Sequence, residues 1–403
     1  MFYKQSSLAA IAFYSLCVFS TLGQTWVQAN APALFWQGVA TSADGVKLVA
    51  AAYSDTNHQP AGIYVSTNSG SSWNVTSAPL QFWERVASSS DGTKLAAAAY
   101  ADENWNPGAI YQSTNSGQTW FPSSAPKQNW IGLSCSADGT SLVAMGWGGS
   151  IYFSTDAGNT WLASDAPQQY WRSVASSIDG SKLVAAGFGQ SDLRHGQLYT
   201  SVDSGRHWTP TSAPGTNWFC VASSGDGKRL TAVASGGAIY SSYDSGLNWV
   251  SNNVPAQEWF AVVSSADGNK LTALPGGDTA GPIYWSNDAG KTWNPNGTVT
   301  GRWTAGCLSV DGAKAIAVEG GNQPGLIYSC QSGPTLRPTL SIQGLGRAIL
   351  ISWRVTPDAF VLEQLSLGEN WTAVTNAVTI NGERNEILIP EPGNYRYFRL
   401  KSQ

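Results

Sequence analysis

Basic residues never cluster in this chain: its 22 lysines and arginines are scattered among 26 acidic residues, for a formal net charge of −4. A single-signed face of the kind that holds nucleic acid or an acidic membrane surface is therefore not expected. The three histidines, His58, His195 and His207, lack metal-ligand spacing, and Cys135, Cys220, Cys307 and Cys330 match no zinc pattern, so no metal or other cofactor is expected. Those cysteines read as small buried hydrophobes, although an exported location would permit disulfides. No serine lies in a nucleophile-elbow motif, and no glycine-rich phosphate loop precedes a helix. The one long apolar run, Leu8 to Gly23, follows Lys4, ends in small residues and is too short for a confident membrane span. Residues 1–23 have the layout of a secretory signal peptide carrying Cys17, and cleavage is expected after Gly23, with Ala29 as the alternative. The mature chain is then secreted or held in the cell envelope, with no membrane span.

What the chain has in abundance is glycine, serine, threonine, alanine and 19 tryptophans, a composition suited to short strands and tight turns. These residues recur in order. Units open at Trp36, Trp83, Trp130, Trp171, Trp218, Trp259 and Trp303, with steps of 47, 47, 41, 47, 41 and 44 residues. Each tryptophan begins a strand that ends in Asp-Gly, at aspartates 44, 91, 138, 179, 226, 267 and 311, a dipeptide that turns a hairpin because glycine takes a positive φ cheaply. A second strand such as Lys47-Leu-Val-Ala-Ala-Ala52 is apolar on both faces. The third carries Tyr64, Tyr111, Tyr152, Tyr199, Tyr240, Tyr284 or Tyr328 and leads into Ser-x-Asp-x-Gly-x-Thr-Trp, whose tryptophan begins the fourth. Four strands per unit, with small side chains on both faces of the second, predict blades packed face to face around an axis.

The seventh unit lacks its closing tryptophan. Gly23-Gln-Thr-Trp26 through Ala31-Pro32 matches the close of the second unit, Gly117-Gln-Thr-Trp120 through Ala125-Pro126. The N-terminal segment, residues 24–32, is therefore expected to supply the outer strand of the last blade, which favours cleavage at Gly23 because a cut after Ala29 would leave an open edge. From residue 334 to 403 the pattern stops, and apolar segments beginning at Ala348, Phe360, Trp371, Glu386 and Tyr395 read as a small separate β domain. The expected fold is all-β: a seven-bladed β-propeller over residues 24–333, closed by its N-terminal strand, and a small sandwich-like C-terminal domain.

The Ser-x-Asp turn resembles the Asp-box, or BNR repeat, of β-propellers. It runs from Ser154 to Trp161, Ser201 to Trp208, Ser286 to Trp293 and, one residue longer, Ser241 to Trp249, while Asn68 and Asn115 replace the aspartate in the first two units. Three groups of such proteins are similar to this chain. Sialidases share the box, but their Arg-Ile-Pro segment does not occur here; the only Ile-Pro, Ile389-Pro390, lies in the tail, and sialidases have six blades. Xyloglucan hydrolases set two propellers across a cleft, which one propeller cannot form. The photosystem II assembly-factor-like propellers resemble this chain in blade number and box, and that resemblance implies a non-enzymatic binding scaffold. The C-terminal domain resembles fibronectin-like or immunoglobulin-like modules.

Catalytic carboxylates find little support. Of 17 aspartates, seven sit in Asp-Gly turns and four in boxes, and the propeller's glutamates are Glu84, Glu103, Glu258 and Glu319. No catalytic residue is assigned. Binding belongs instead on the rim that carries the loops of variable length, Ser54 to Pro60, Asp102 to Pro107 and Gly189 to Gly196, since variable loops on a constant scaffold usually carry function. That rim is expected to gather Arg85, Trp105, Trp147, Tyr170, Arg172, Arg194, His195 and Arg302 as binding residues, with Phe35, Phe82, Glu84, Phe188 and Glu258 beside them, an aromatic and arginine set typical of recognition surfaces. Trp105 and Trp147 stand out because they interrupt the repeat. A monomer binding a protein partner is expected. The alternative is a carbohydrate-active protein, either a glycan binder using Trp105 with Asn104 and Asn106 or a divergent sialidase-like hydrolase.

Overall fold

Tryptophan at the head of each repeat fixes the first strand of a blade. In the computed structural model, which describes residues 25–189, 196–234, 236–277 and 279–331 together with much of 341–402, the seven opening tryptophans are the largest fully buried side chains. The first strands are Phe35–Thr41, Phe82–Ser88, Trp130–Cys135, Tyr170–Ser176, Trp218–Ser223, Trp259–Ser264 and Trp303–Leu308, defining blades 1 to 7. Each starts a four-stranded antiparallel sheet, and neighbouring first strands touch right round, that of blade 7 meeting that of blade 1. In all seven blades the opening tryptophan meets the third-strand tyrosine edge to face, with ring centroids 5.1–5.8 Å apart. Such pairs add about 0.5–1.5 kcal/mol beyond the area buried.

Hydrophobic clusters bridge adjacent blades: Trp36, Leu48, Ala50 and Ala52 of blade 1 pack with Ile316, Val318 and Ile327 of blade 7. The second strands are alanine-rich because a sheet covers each of their faces, and Ala50, Ala51 and Ala52 are wholly buried. At the end of the first strands, the residues beside the Asp-Gly turns close a belt of backbone hydrogen bonds. Ala43 donates to Ser90, Ser90 to Ala137, Ala137 to Ile178, Ile178 to Gly225, Gly225 to Ala266, Ala266 to Val310 and Val310 back to Ala43, each at 2.7–2.8 Å.

The Asp-Gly turns are held from inside and from the neighbouring blade. Ser89 Oγ and the Thr93 N–H donate to Asp91 Oδ1, and the ammonium of Lys47 in the preceding blade donates to the Asp91 carbonyl at 3.0 Å. Gly92 has φ +66°, and a Cβ there would lie 2.8 Å from Lys47 Cδ, so both backbone conformation and space demand glycine. Lys94, Lys182, Arg229 and Lys270 repeat the contact with the next blade's aspartate carbonyl.

The Ser-x-Asp turns share one arrangement. Ser154 Oγ donates to Asp156 Oδ1 while accepting the Gly158 N–H, Thr160 N–H donates to the same Oδ1, and the Trp161 indole donates to the Gly158 carbonyl. In blade 5 the serine that does this is Ser242, not Ser241. The turn there is no longer than the others; the extra residue expected in the sequence comes from counting the first serine of a Ser-Ser pair.

Thr25–Gln28 pairs antiparallel with the third strand of blade 7, Ile327–Gln331, and Trp26 is buried 6.4 Å from Trp303. The expected closure by the N-terminal strand is therefore present, whereas the signal segment 1–23 lies outside the described residues. In the tail, Ser341–Leu345, Ala348–Arg354, Arg384–Pro390 and Thr379–Asn381 form one sheet, and Thr372–Ala373, Phe360–Ser366 and Tyr395–Ser402 a second. Among the described residues no helix is long and apolar enough to cross a membrane.

Two predictions follow from this architecture. Trp26→Ala should cost about 3–5 kcal/mol, as truncation of a buried tryptophan does, and removal of residues 24–29 should cost more; denaturant unfolding of both variants checks the order. Hydrogen bonds from Ser89 and Thr93, and from Ser136 and Thr140, pull the Asp91 and Asp138 carboxyls down to about 2. Their unfolded values are near 3.9, so the stabilisation is complete above about pH 5 and is lost as pH falls through the folded values. Urea midpoints should hold from pH 7 to pH 5 and drop steadily from about pH 4 to pH 2, less so in Asp91→Asn/Asp138→Asn.

Candidate binding site at the axial mouth

Every first strand carries one extra residue just after its tryptophan. In blade 4, Trp171 pairs with Gly187 and Ser173 with Ala186, leaving Arg172 unpaired, and the same shift recurs in the other six blades. A bulge re-aims the side chain it carries. The bulged residues are Gln37, Glu84, Ile131, Arg172, Phe219, Phe260 and Thr304; all except Gln37 line one cavity of about 190 Å³ on the propeller axis. Glu84 and Arg85 enter it from blade 2, Arg172 and Ser173 from blade 4, and Cys220 from blade 5.

The charges in this mouth are not evenly met. Arg85 donates to the Gln37 carbonyl at 2.8 Å and the Glu84 carbonyl at 2.9 Å, and pairs with Glu84 Oε1 at 3.2 Å. Burial pushes the Glu84 carboxyl up against the opposing pull of Arg85 and Arg172. Arg172 lies 4.7 Å from the centroid of Trp147, 5.1 Å from Phe188 and 5.3 Å from Phe219, a cage of three rings. Its Nε is buried and has no hydrogen-bond partner. Burial, with the charge of Arg85, lowers its pKa from the ordinary value, while Glu84 opposes the shift. A buried donor left unmet costs about 1–3 kcal/mol, more when charged.

Around the mouth, the loops of blades 1 and 2 repeat one geometry. Asp102 Oδ1 accepts the N–H groups of Asn104 and Asn106, and Trp105 N–H donates to the Asp102 carbonyl; Asp55 does the same for Asn57, Gln59 and His58. Each loop places a non-glycine residue at positive φ, Trp105 at 62° and His58 at 59°. Trp105 stacks on Phe82 at 4.2 Å and His58 lies 5.0 Å from Phe35. Trp105 is 61% exposed and Trp147 37%, the latter resting against Tyr170 at 5.0 Å. Rings then continue from Phe188 to Phe219 to Phe260.

The expected rim residues divide three ways. Arg172, Trp147 and Tyr170 converge with Phe188 at the mouth, and Arg85 and Glu84 join them, though Arg85 is engaged with its own wall. Phe35 and Phe82, 6% and 3% exposed, are buried beneath His58 and Trp105 and are not displayed. Arg302 and Glu258 do not line the cavity. Arg194 and His195 lie outside the described residues. Phe219, Phe260 and Ile131 escaped the sequence reading, yet the signal was there: the position after each opening tryptophan varies within a constant frame. The four cysteines Cys135, Cys220, Cys307 and Cys330 are unpaired, and burial pushes the thiols of Cys135 and Cys330 up to about 12. Among the described residues no group of three or more His, Cys, Asp or Glu side chains converges as a metal site requires.

These features define a seven-bladed β-propeller with an arginine- and aromatic-lined axial mouth. No known protein family and no curated protein matches the sequence. Among solved structures, the chain is similar to YCF48 from Cyanidioschyzon merolae, at 15% identity over 76% of this chain and 98% of that one, with a TM-score of 0.58. It is also similar to YCF48 bound to a D1 peptide, at 16% identity over 77% and 97%, with a TM-score of 0.56. A xyloglucanase of glycoside hydrolase family 74 from Xanthomonas campestris matches at 18% identity over 82% of this chain and 59% of that one, with a TM-score of 0.59. At these identities the likeness is one of fold.

Different energies hold the two kinds of tryptophan. Trp83→Ala should cost about 3–5 kcal/mol or more. Trp105→Gly should be near neutral, because relief of about 1–2 kcal/mol of left-handed backbone strain offsets the loss of about 0.5–1.5 kcal/mol of stacking on Phe82. Thermal unfolding of the two variants checks the contrast.

Proposed function

We propose that this chain is an exported, non-enzymatic propeller that binds an extended peptide segment of a protein partner across its variable rim and axial mouth. The observation that carries this reading is the open mouth itself, where Arg172 and a run of rings surround a cavity next to two exposed tryptophans. Rigid aromatic and arginine side chains contribute much contact area for little lost entropy, which is why they dominate recognition sites. The structural likeness to a YCF48 propeller bound to a peptide agrees with that use of the fold. The Ser-x-Asp turns are then Asp-boxes with a structural role, given that their hydrogen bonds are satisfied within the turn. Export rests on the apolar N-terminal segment; cleavage after Gly23 spares the strand Thr25–Gln28. The chain acts as a monomer, with its fibronectin- or immunoglobulin-like tail as an attachment or spacing module.

A carbohydrate-binding role is the second reading. Trp105, exposed between Asn104 and Asn106, has the flat apolar face and adjacent amides that a sugar ring uses. A displayed random-peptide library and a glycan array, both probed with residues 24–403, separate the two. Selected peptides should bind the native chain and weaken at least about tenfold in Trp105→Ala/Trp147→Ala. Glycan signals lost in Trp105→Ala alone would transfer the assignment to a lectin, and selected peptides indifferent to both substitutions would remove the rim from the account.

A further inference from the structure

We propose that Arg172 anchors a carboxylate-binding site in the axial mouth, so that a partner peptide engages the propeller through a free carboxylate next to an apolar side chain; this rests on the reading of the rim as a peptide-binding surface. Arg172 lacks an acceptor among the described residues. Its Nε is buried without an acceptor, and no described residue forms a hydrogen bond or ion pair with its guanidinium. The one carboxylate among the described lining residues, Glu84, pairs through Oε1 with Arg85 at 3.2 Å. Trp147, Phe188 and Phe219 crowd the cation and supply cation–π attraction, but rings offer the N–H fork no oxygen. A planar fork with unmet donors matches a carboxylate bidentately, a geometry an ammonium cannot reproduce.

Charge selects the class of anion. Among the described residues, the cavity lining holds two guanidinium groups, Arg85 and Arg172, and one carboxylate, Glu84, with no other Asp, Glu, Lys, Arg or His. One excess positive charge is neutralised by a monoanion, whereas a phosphate dianion would leave a surplus negative charge among half-buried rings, an unfavourable environment for it. A volume of about 190 Å³ accommodates a carboxylate and a side chain, and Ile131, Phe219 and Phe260 form an apolar wall for that side chain. The site is preorganised, because Glu84, Ile131, Arg172, Phe219 and Phe260 all occupy the same bulged position on first strands held by the ring.

The test uses small probes on the purified chain of residues 24–403, with binding read by saturation-transfer NMR and calorimetry. N-acetyl-phenylalanine should bind at least about tenfold more tightly than its amide. N-acetyl-aspartyl-phenylalanine amide asks whether a side-chain carboxylate serves as well as a chain terminus. Arg172→Gln and Arg172→Lys should each lose at least about tenfold in affinity, while Glu84→Gln, which removes a competing negative charge, should tighten binding by about two- to fivefold. Opposite effects of two neighbouring substitutions are not what a merely structural role produces, and thermal unfolding of each variant confirms that it folds. Equal binding of acid and amide by the native chain, failure of both carboxylate probes, or unchanged affinity in folded Arg172→Lys would overturn the proposal. If selected peptides bind the rim without needing any carboxylate, the peptide reading survives and this one fails; if the acid binds through Arg172 but no peptide is selected, the reverse holds.

Discussion

Seven backbone hydrogen bonds, each joining a blade to the next around the axis, are the constraint on which the rest of this structure depends. They form a closed circuit, whose last bond, Val310 to Ala43, can be made only where the last blade meets the first. Each blade buries its second strand against its neighbour, and a missing blade would expose two alanine-rich faces together with unpaired strand groups. That is why the N-terminal strand belongs to the last blade: the circuit is completed by joining the two ends of the propeller in one sheet rather than by leaving a seam between sheets.

Closure at one end frees the other. On the side of the ring, the turns repeat with the same serine, aspartate and glycine roles in blade after blade, and lysines or an arginine reach across to the next blade's turn. On the opposite side, the bulge after each tryptophan breaks the pairing once and, in six of the seven blades, sets its residue against the axial cavity. Those positions stand outside the strand pairing, so their identities diverge, although Thr304 still donates to the Trp36 carbonyl of blade 1. Glutamate, arginine, phenylalanine and threonine occupy equivalent places on one scaffold, and the mouth gathers a carboxylate, two arginines and a run of rings.

Within that mouth, the two arginines differ in their partners. Arg85 directs its Nη1 at the Gln37 and Glu84 carbonyls and at the Glu84 carboxylate, which ties it to the wall. Arg172 is surrounded by rings that hold it in place without satisfying it. Trp105 and Trp147 extend the same surface outward. Trp105 is presented at positive φ by a loop that Asp102 ties down, an arrangement in which backbone strain is maintained by local hydrogen bonds.

The sequence by itself determined the blade count, the place of each turn and the closing role of Trp26, because these follow from periodic residues whose conformational demands are local: glycine at positive φ, tryptophan at a buried strand start, alanine between two sheets. It also marked Trp105 and Trp147 as departures from the repeat, and Trp105 does stand exposed. What it did not reveal was that Phe35 and Phe82 lie hidden under the loops of their own blades, or that Phe219 and Phe260 continue the collar. Only the tertiary structure decided which arginine is tied to Glu84 and which stands among rings, since Glu84, Arg85 and Arg172 carry no periodic label and their partnership depends on how blades 2, 4 and 5 converge on the axis. Side chains far apart in the chain meet there because the ring brings equivalent positions together, and the balance of charge that results is a property of the assembled mouth rather than of any one repeat.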